Sequence, residues 1–391
     1  MIMSVKVPLY PSKEQIQEFD KLSYCYHKLG NIAVELLKEY GYALKSQGLR
    51  KFLTLRLNEL PKGNLGFITT VVSQEKVTAY KQHGKVNYHK YSKTHKSFPV
   101  RCDENDNRVS RIYSDDLKTI KIPSIPGKVK ISYKWQHNMV KKNGVDYLNS
   151  LLNYKKQTAR VTFDGTYWYL VFSIYYEPEH IELQNKSVGV DVGIEKLAVT
   201  SDGIYEYGVN NTSSEIKRLE RKEKKLQRIL SRKYRVFNGG KTQGKLEKSR
   251  NILKLEEKVF LVRRRIKNIR ENELHRISKN LVDLNYKIVA FEDLNIKGMM
   301  KNKYQAPGIQ KQGWYKLIAF TKYKAISKGE TFIQVSRWYA SSKRCNCCGN
   351  IKKDLKLKDR IYKCKKCGLI IDRDYNASLN IRDESLRLVF G

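Results

Sequence analysis

Val188-Gly189-Val190-Asp191-Val192 is an apolar run interrupted only by Gly189 and Asp191. Its length and β-branched content read as a buried strand. An unpaired carboxylate is costly to bury there, which marks Asp191 as a residue kept for chemistry or as a strand-end turn residue. Outward from it, residues 196–200 and 204–209 read as strands joined by Ser201-Asp202-Gly203. Thr212 with Glu215 forms a capping-box pattern that opens a long helical stretch. The stretch breaks at Asn238-Gly239-Gly240 and resumes to about Leu284. Ile216, Leu219, Leu226 and Leu230 share one stripe; Val259, Val262, Ile266 and Ile269 share another, as in a helical hairpin with one apolar seam.

Further on, an apolar strand at 288–291 runs into Glu292-Asp293. A helical pattern covers 314–328, a strand 331–335, and a last helix runs from Asn376 toward Leu388. This order predicts an α/β domain of ribonuclease-H-like type. In such a sheet two strand carboxylates and one helix carboxylate converge. The candidates are Asp191, Glu292 and Asp374, with Asp293 competing for the second place and Asp372 for the third; either of the latter pair also suits a helix N-cap. A cluster of this kind holds Mg²⁺ for two-metal phosphodiester hydrolysis.

Before the nuclease-like half, residues 5–9 alternate as a strand that Pro11 ends, and Ser12 with Gln15 opens a helix to about Leu44. Helical patterns follow near 49–60 and 68–82, then polar loops over 85–116. From 117 to 177 the period becomes two, most clearly over 129–135. Residues 160–163 and 167–176 flank Asp164-Gly165, a hairpin signal. The first strand can pair with this all-β segment, which makes the helices an insertion.

The 391 residues carry 77 Lys+Arg against 39 Asp+Glu, a net charge of +38. Such a surface repels itself unless a polyanion neutralises it, so nucleic acid is the expected partner. Residues 215–270 alone hold 21 basic and 6 acidic side chains, a helical face suited to phosphate contact. No apolar stretch is long enough to span a bilayer, and the first residues form no apolar secretory core. Five of the seven cysteines lie between 345 and 367. Cys345-x2-Cys348 and Cys364-x2-Cys367, 15 residues apart, have the spacing of a structural zinc site, with Gly349 and Gly368 completing each knuckle. All four ligands come from protein, which leaves no open position for water. Lys352, Lys353, Lys356, Lys358, Arg360 and Lys363 between the knuckles suit a ribbon on a phosphate backbone. Cys25 reads as a small buried hydrophobe, and Cys102 carries no assignment.

Gly189-Val-Asp191-Val-Gly193-Ile, Phe291-Glu292-Asp293-Leu294-Asn295, Ser341-Ser342-Lys-Arg-Cys345-x2-Cys348-Gly349 and Cys367-Gly368-x3-Asp372-Arg373-Asp374-x-Asn376-Ala377 occur in this order. The combination resembles the TnpB (OrfB) family of transposon-encoded, RNA-guided DNA endonucleases, relatives of type V CRISPR effectors. It covers about residues 187–382; Leu9-Tyr10-Pro11-Ser12-x2-Gln15 is a weaker match.

The resemblance implies an α+β multidomain protein. A wedge β-barrel would occupy 1–10 and 117–180, with a helical recognition insertion at 11–116. A split RuvC nuclease domain would occupy 187–391, with its helical hairpin at 212–285 and a zinc ribbon at 340–370. It implies Asp191, Glu292 and Asp374 as catalytic ligands of two Mg²⁺ ions, and a structural Zn²⁺ on Cys345, Cys348, Cys364 and Cys367. A guide RNA from the transposon end would pair with double-stranded target DNA, and one nuclease site would cut both strands in turn. The helix around 73–81 is where a short flanking DNA motif would be read. A monomer with one RNA, at the nucleoid in a prokaryotic cytoplasm and away from membranes, is the expected state. Ala377-Ser378 stands where the family has two alanines, and Cys347 adds a thiol; neither removes a ligand. The competing readings are a nuclease-silent RNA-guided repressor, a guide-independent structure-specific nuclease and, last, a strand-transferring transposase.

Overall fold

Ser12 acts as its spacing predicts. Its hydroxyl accepts from Gln15 N at 3.2 Å while the Gln15 side chain accepts from Ser12 N at 3.0 Å. This reciprocal cap separates strand β1 (Ile2–Tyr10) from helix α1 (Lys13–Tyr40). The computed structural model describes residues 2–41, 44–61, 65–88, 96–102, 111–154, 156–175, 181–208, 213–240, 246–355 and 359–391. Two units, Met1–Glu177 and Pro178–Gly391, have separate cores.

In the first unit α2 (Ser46–Leu55), a 3-10 turn (Arg56–Glu59) and α3 (Gly66–His83) follow α1. Then come β2 (Lys96–Val100), β3 (Thr119–Lys121), β4 (Lys128–Ile131), α4 (Tyr133–Asn143), α5 (Val145–Asn153), β5 (Lys156–Phe163) and β6 (Trp168–Tyr175). The strands form one antiparallel sheet in the order β2-β5-β6-β1-β4-β3. Alternation along β1 buries Val5, Val7 and Leu9, and Phe19 of α1 packs edge-on against Trp168 at 4.9 Å. Asp164 caps the β5–β6 turn by accepting from Thr166 N and Tyr167 N. Cys25 is fully buried in this core.

Two local expectations change. The segment 117–177 is not all β: α4 and α5 lie within it, and the alternation over 129–135 is a strand only as far as Ile131. Ser132 accepts from Trp135 N and opens α4, whose Trp135, Met139 and Val140 face the core at helical spacing. Three alternating residues do not distinguish a strand from a helix; the cap and the packing decide. The stretch 85–116 is not all loop, because β2 pairs with β5, Phe98 opposite Val161. Pro99 fits there because β2 is an edge strand with one side free of ladder bonds.

The second unit contains β7 (Gln184–Asp191), β8 (Lys196–Thr200), β9 (Glu206–Gly208), α6 (Ser214–Phe237), α7 (Arg250–Val282) and β10 (Tyr286–Glu292). It continues with α8 (Ile296–Met299), α9 (Ala306–Gln312), α10 (Trp314–Ser327), β11 (Thr331–Val335), β12 (Ile361–Lys363), β13 (Ile370–Asp372) and α11 (Arg373–Phe390). The sheet order is β11-β10-β7-β8-β9; β7, β10 and β11 pair parallel, while β8 pairs antiparallel with both β7 and β9. Side-chain parity splits the faces. Val188, Val190, Val289 and Phe291 share a core with Leu274 and Ile277 of α7 and Leu317 of α10. Ala290 and Val335 instead pack with Ile381 of α11. Thr212 lies outside the described residues, and the cap of α6 is Ser213, which accepts from Ile216 N. Among the described residues no helix is long and apolar enough to cross a membrane.

Candidate active site and metal centre

Asp191 ends β7 and Glu292 ends β10. The parallel register sets Val190 beside Phe291, so the two carboxylates follow in line on adjacent strands. Both have the parity of Gly189 and Ala290, which places them on the α11 face. α11 approaches closely because residue 189 has no side chain: a Cβ there would stand 2.1 Å from Ser378 O. Asp374, in the first turn of α11, is 7% exposed.

Burial, then the charges of Asp374 and Glu292, push the Asp191 carboxyl well above its ordinary range; Arg373 opposes them. Glu292 is also pushed up by burial, which a hydrogen bond from Ser341 Oγ at 3.0 Å opposes. Arg373 donates to Asp374 Oδ1 at 3.0 and 2.9 Å.

The two competing acids are engaged otherwise. Asp293 accepts from Arg337 Nε at 2.9 Å. Asp372 is the N-cap of α11, accepting from Asp374 N and Tyr375 N, both at 2.9 Å, and its other oxygen meets Lys196 Nζ at 3.1 Å. Partial burial raises its pKa, but the Tyr375 N–H and Lys196 outweigh this and hold it low. Ser341, Arg373 and Arg337 were not assigned from sequence. Ser341 and Arg373 lie within the quoted motifs, and Arg337 carries no local signal.

The Sγ atoms of Cys345, Cys348, Cys364 and Cys367 all lie within 4.8 Å of one another. Cys345–Cys367 and Cys348–Cys364 are each 3.6 Å apart. Zinc–sulfur bonds of about 2.3 Å on a tetrahedron set sulfurs about 3.8 Å apart, so the thiols fit that ion. Gly349 and Gly368 take φ of 72° and 77°, as the knuckle turns require. Backbone N–H groups, Cys367 N–H first, bring the Cys364 thiol down to about 6 against some burial. Cys347 is exposed and outside the quartet. Among the described residues this is the one His/Cys/Asp/Glu group so tightly drawn together; the three carboxylates are not. Lys356 and Lys358 lie outside the described residues.

Along the hairpin the charges separate. The three acids of α6 pair with arginines of α7: Glu215 with Arg265 (2.9 Å), Glu220 with Arg270 (2.7 Å) and Glu223 with Arg263 (2.7 Å). The remaining α6 cations, among them Arg221, Lys225, Arg228, Arg232 and Arg235, form no ion pair with a described carboxylate. They recur every three or four residues, as one basic face.

Residues 172–303 match the family model described as a probable transposase, OrfB_IS605, and residues 314–381 match the Cas12f1-like TNB domain. The chain is similar to the TnpB-like RNA-guided DNA endonucleases. A Streptomyces pristinaespiralis protein named "Putative RNA-guided DNA endonuclease" is 34% identical over 50% of this chain and 44% of its own. Cas12f1, a CRISPR-associated endodeoxyribonuclease of Sulfoacidibacillus thermotolerans, is 25% identical over 69% of this chain and 64% of its own. The chain thus spans about half the length of the curated relatives it matches. A Cas12f1 chain solved by cryo-EM with sgRNA and target DNA superposes with a TM-score of 0.62 at 14% identity, covering 98% of both chains. At that identity the likeness is one of fold, a mixed α/β chain.

Proposed function

We propose that this protein is an RNA-guided, Mg²⁺-dependent endonuclease that cuts double-stranded DNA beside a short flanking motif. In this reading the second unit is a ribonuclease-H-like RuvC domain, with the cysteine ribbon inserted ahead of α11. The sheet order, with β8 alone running against the other four strands, supports it. The first unit is the wedge barrel with its helical recognition insertion. The observation that carries the proposal is Asp191, half-buried beside Glu292 and Asp374 with its carboxyl pushed well up. The Asp191 and Glu292 carboxyls, both pushed up, are the pair whose ionisation a bound cation would favour.

Asp191, Glu292 and Asp374 would hold two Mg²⁺ ions. When bound, these supply Lewis-acid activation of the attacking water and stabilise the leaving 3′ oxygen. The chain's own part is orientation. β7 and β10 fix two carboxylates in register, α11 presents the third, and Arg373 holds Asp374 by two hydrogen bonds. The quartet would hold a structural Zn²⁺. The outer face of α6 would lie along a phosphate backbone, and base pairing to a guide RNA would supply sequence specificity. A monomer with one RNA, in a prokaryotic cytoplasm, completes the reading.

The nuclease-silent alternative is disfavoured because all three acids are retained. The test is to express the protein with its native flanking DNA and sequence the RNA that copurifies. A discrete RNA ending in flanking sequence, whose complex cuts matching DNA only with Mg²⁺, is expected. Cleavage of branched DNA by the RNA-free protein would instead select the structure-specific nuclease.

A further inference from the structure

We propose that Ser341 is a positioning residue for Glu292 and that the cysteine knuckle holds Ser341 in place. The inference rests on the nuclease reading above. Ser341 belongs to neither a helix nor a strand, yet it is 4% exposed and its Oγ donates to Glu292 Oε2 at 3.0 Å. A hydroxyl in an unstructured turn needs outside support to keep one rotamer.

That support comes from α11 and the first knuckle. Asn380, 2% exposed, donates to Ser341 O at 2.8 Å and to Arg344 O at 2.7 Å. Asn376, one turn earlier and fully buried, donates to Arg344 O at 2.7 Å and accepts from Asn346 N at 3.1 Å. Asn346 lies between Cys345 and Cys348, and its side chain donates to Asp383 Oδ2 at 2.7 Å. The turn from Ser341 to Asn346 is therefore tied to α11 along its length, with the quartet closing its far end.

The same helix carries Asp374. Two amide side chains on α11 thus set where the Ser341 hydroxyl stands, and so how the Glu292 carboxylate is turned relative to Asp374. The hydroxyl occupies Oε2 and leaves Oε1 as the oxygen offered to a cation. Groups that orient a metal-binding carboxylate govern affinity for the metal, commonly by 10–100-fold.

Ser341→Thr and Ser341→Val in the full chain test this, because the two side chains have one shape and differ in the hydroxyl. Mn²⁺ binding to the RNA-free chain is measured by calorimetry, and the Mg²⁺ needed for half-maximal cleavage is measured with guide RNA. The valine variant is expected to bind Mn²⁺ about 10–100-fold more weakly than the threonine variant and to need correspondingly more Mg²⁺. Its zinc content and melting temperature should match those of the threonine variant. Equal Mn²⁺ affinities and Mg²⁺ requirements for the two would overturn the role of Ser341. Asp191→Ala is the control. If it binds Mn²⁺ and cleaves like the parent, the nuclease-centre reading fails, which is a separate result from equality of the Ser341 pair.

Discussion

Gly189 and Ser378 share a space that no side chain on residue 189 can enter. A Cβ there would stand 2.1 Å from Ser378 O and 2.4 Å from Arg382 N, both backbone atoms. This contact brings α11 onto β7 and Asp374 near Asp191. Gly189→Ala is therefore expected to destabilise the second unit by about 1–3 kcal/mol or more and to lower cleavage in proportion. Denaturant midpoints check it; an unshifted midpoint would show that α11 can move away freely.

Asp191→Ala should abolish cleavage and leave guided DNA binding nearly intact. Asp191→Asn should also stabilise the metal-free protein above the ordinary carboxyl range of pH, because burial, Asp374 and Glu292 push the carboxyl pKa well up. A raised acid pKa means that the fold binds the proton more tightly than the unfolded chain, so stability is lost as pH rises. Gel shift with matched DNA and melting curves in chelator read the two parts. Loss of binding together with cleavage would contradict a purely catalytic role.

Cys364→Ala should release the zinc and loosen α11, since Asn346, beside Cys345, is bonded to Asn376 and Asp383. Chelation of the parent protein should do the same, with stability and cleavage falling together. Metal analysis and denaturant midpoints measure this. A stable, fully active Cys364→Ala protein would exclude a structural metal.

Glu330 predicts a pH dependence outside the active site. It is 3% exposed, neither carboxylate oxygen has a hydrogen-bond partner among the described residues, and burial pushes its pKa from 4.5 up to about 8. The neutral acid suits the fold, so its stability is fully present below the ordinary value of 4.5. It is lost as pH rises through about 8. Glu330→Gln should therefore match the parent near pH 4.5 and melt several degrees higher at pH 9, at roughly 2–4 °C per kcal/mol. Parallel melting profiles for the two proteins over that range would refute it.

The hairpin predicts a division between two sets of arginines. Reversing Arg228 and Arg232 to Glu should weaken nucleic-acid binding and lower the salt slope by roughly 0.7–0.9 for each phosphate no longer neutralised. Arg263→Ala and Arg265→Ala remove ion pairs to Glu223 and Glu215 and should cost about 0–1 kcal/mol each, with little change in that slope. Binding measured against salt concentration separates the two sets. Equal slopes in all variants would place the phosphate backbone on another surface.

Local rules were sufficient where neighbours in sequence are also neighbours in space. The Ser12–Gln15 cap, the turn after Asp164, the alternation of β1 and the spacing of the four cysteines are all relations within a few residues. Charge alone pointed to a polyanion. The tertiary structure decided what depends on distant segments. Trp135 joined a helix because Met139 and Val140 face the core with it, and residues 96–100 became a strand because β5 offered an edge. Asp372 and Asp374 are two residues apart and chemically alike. One is the helix cap bonded to Lys196 and the other is buried near Asp191, because β13 runs directly into α11 and the helix packs on Gly189. Glu292 and Asp293 separate in the same way, one meeting Ser341 and the other Arg337, each more than 40 residues along the chain. Period and composition describe a residue's local conformation and polarity, whereas the partner of a buried charge is set by the strand and helix that packing brings against it.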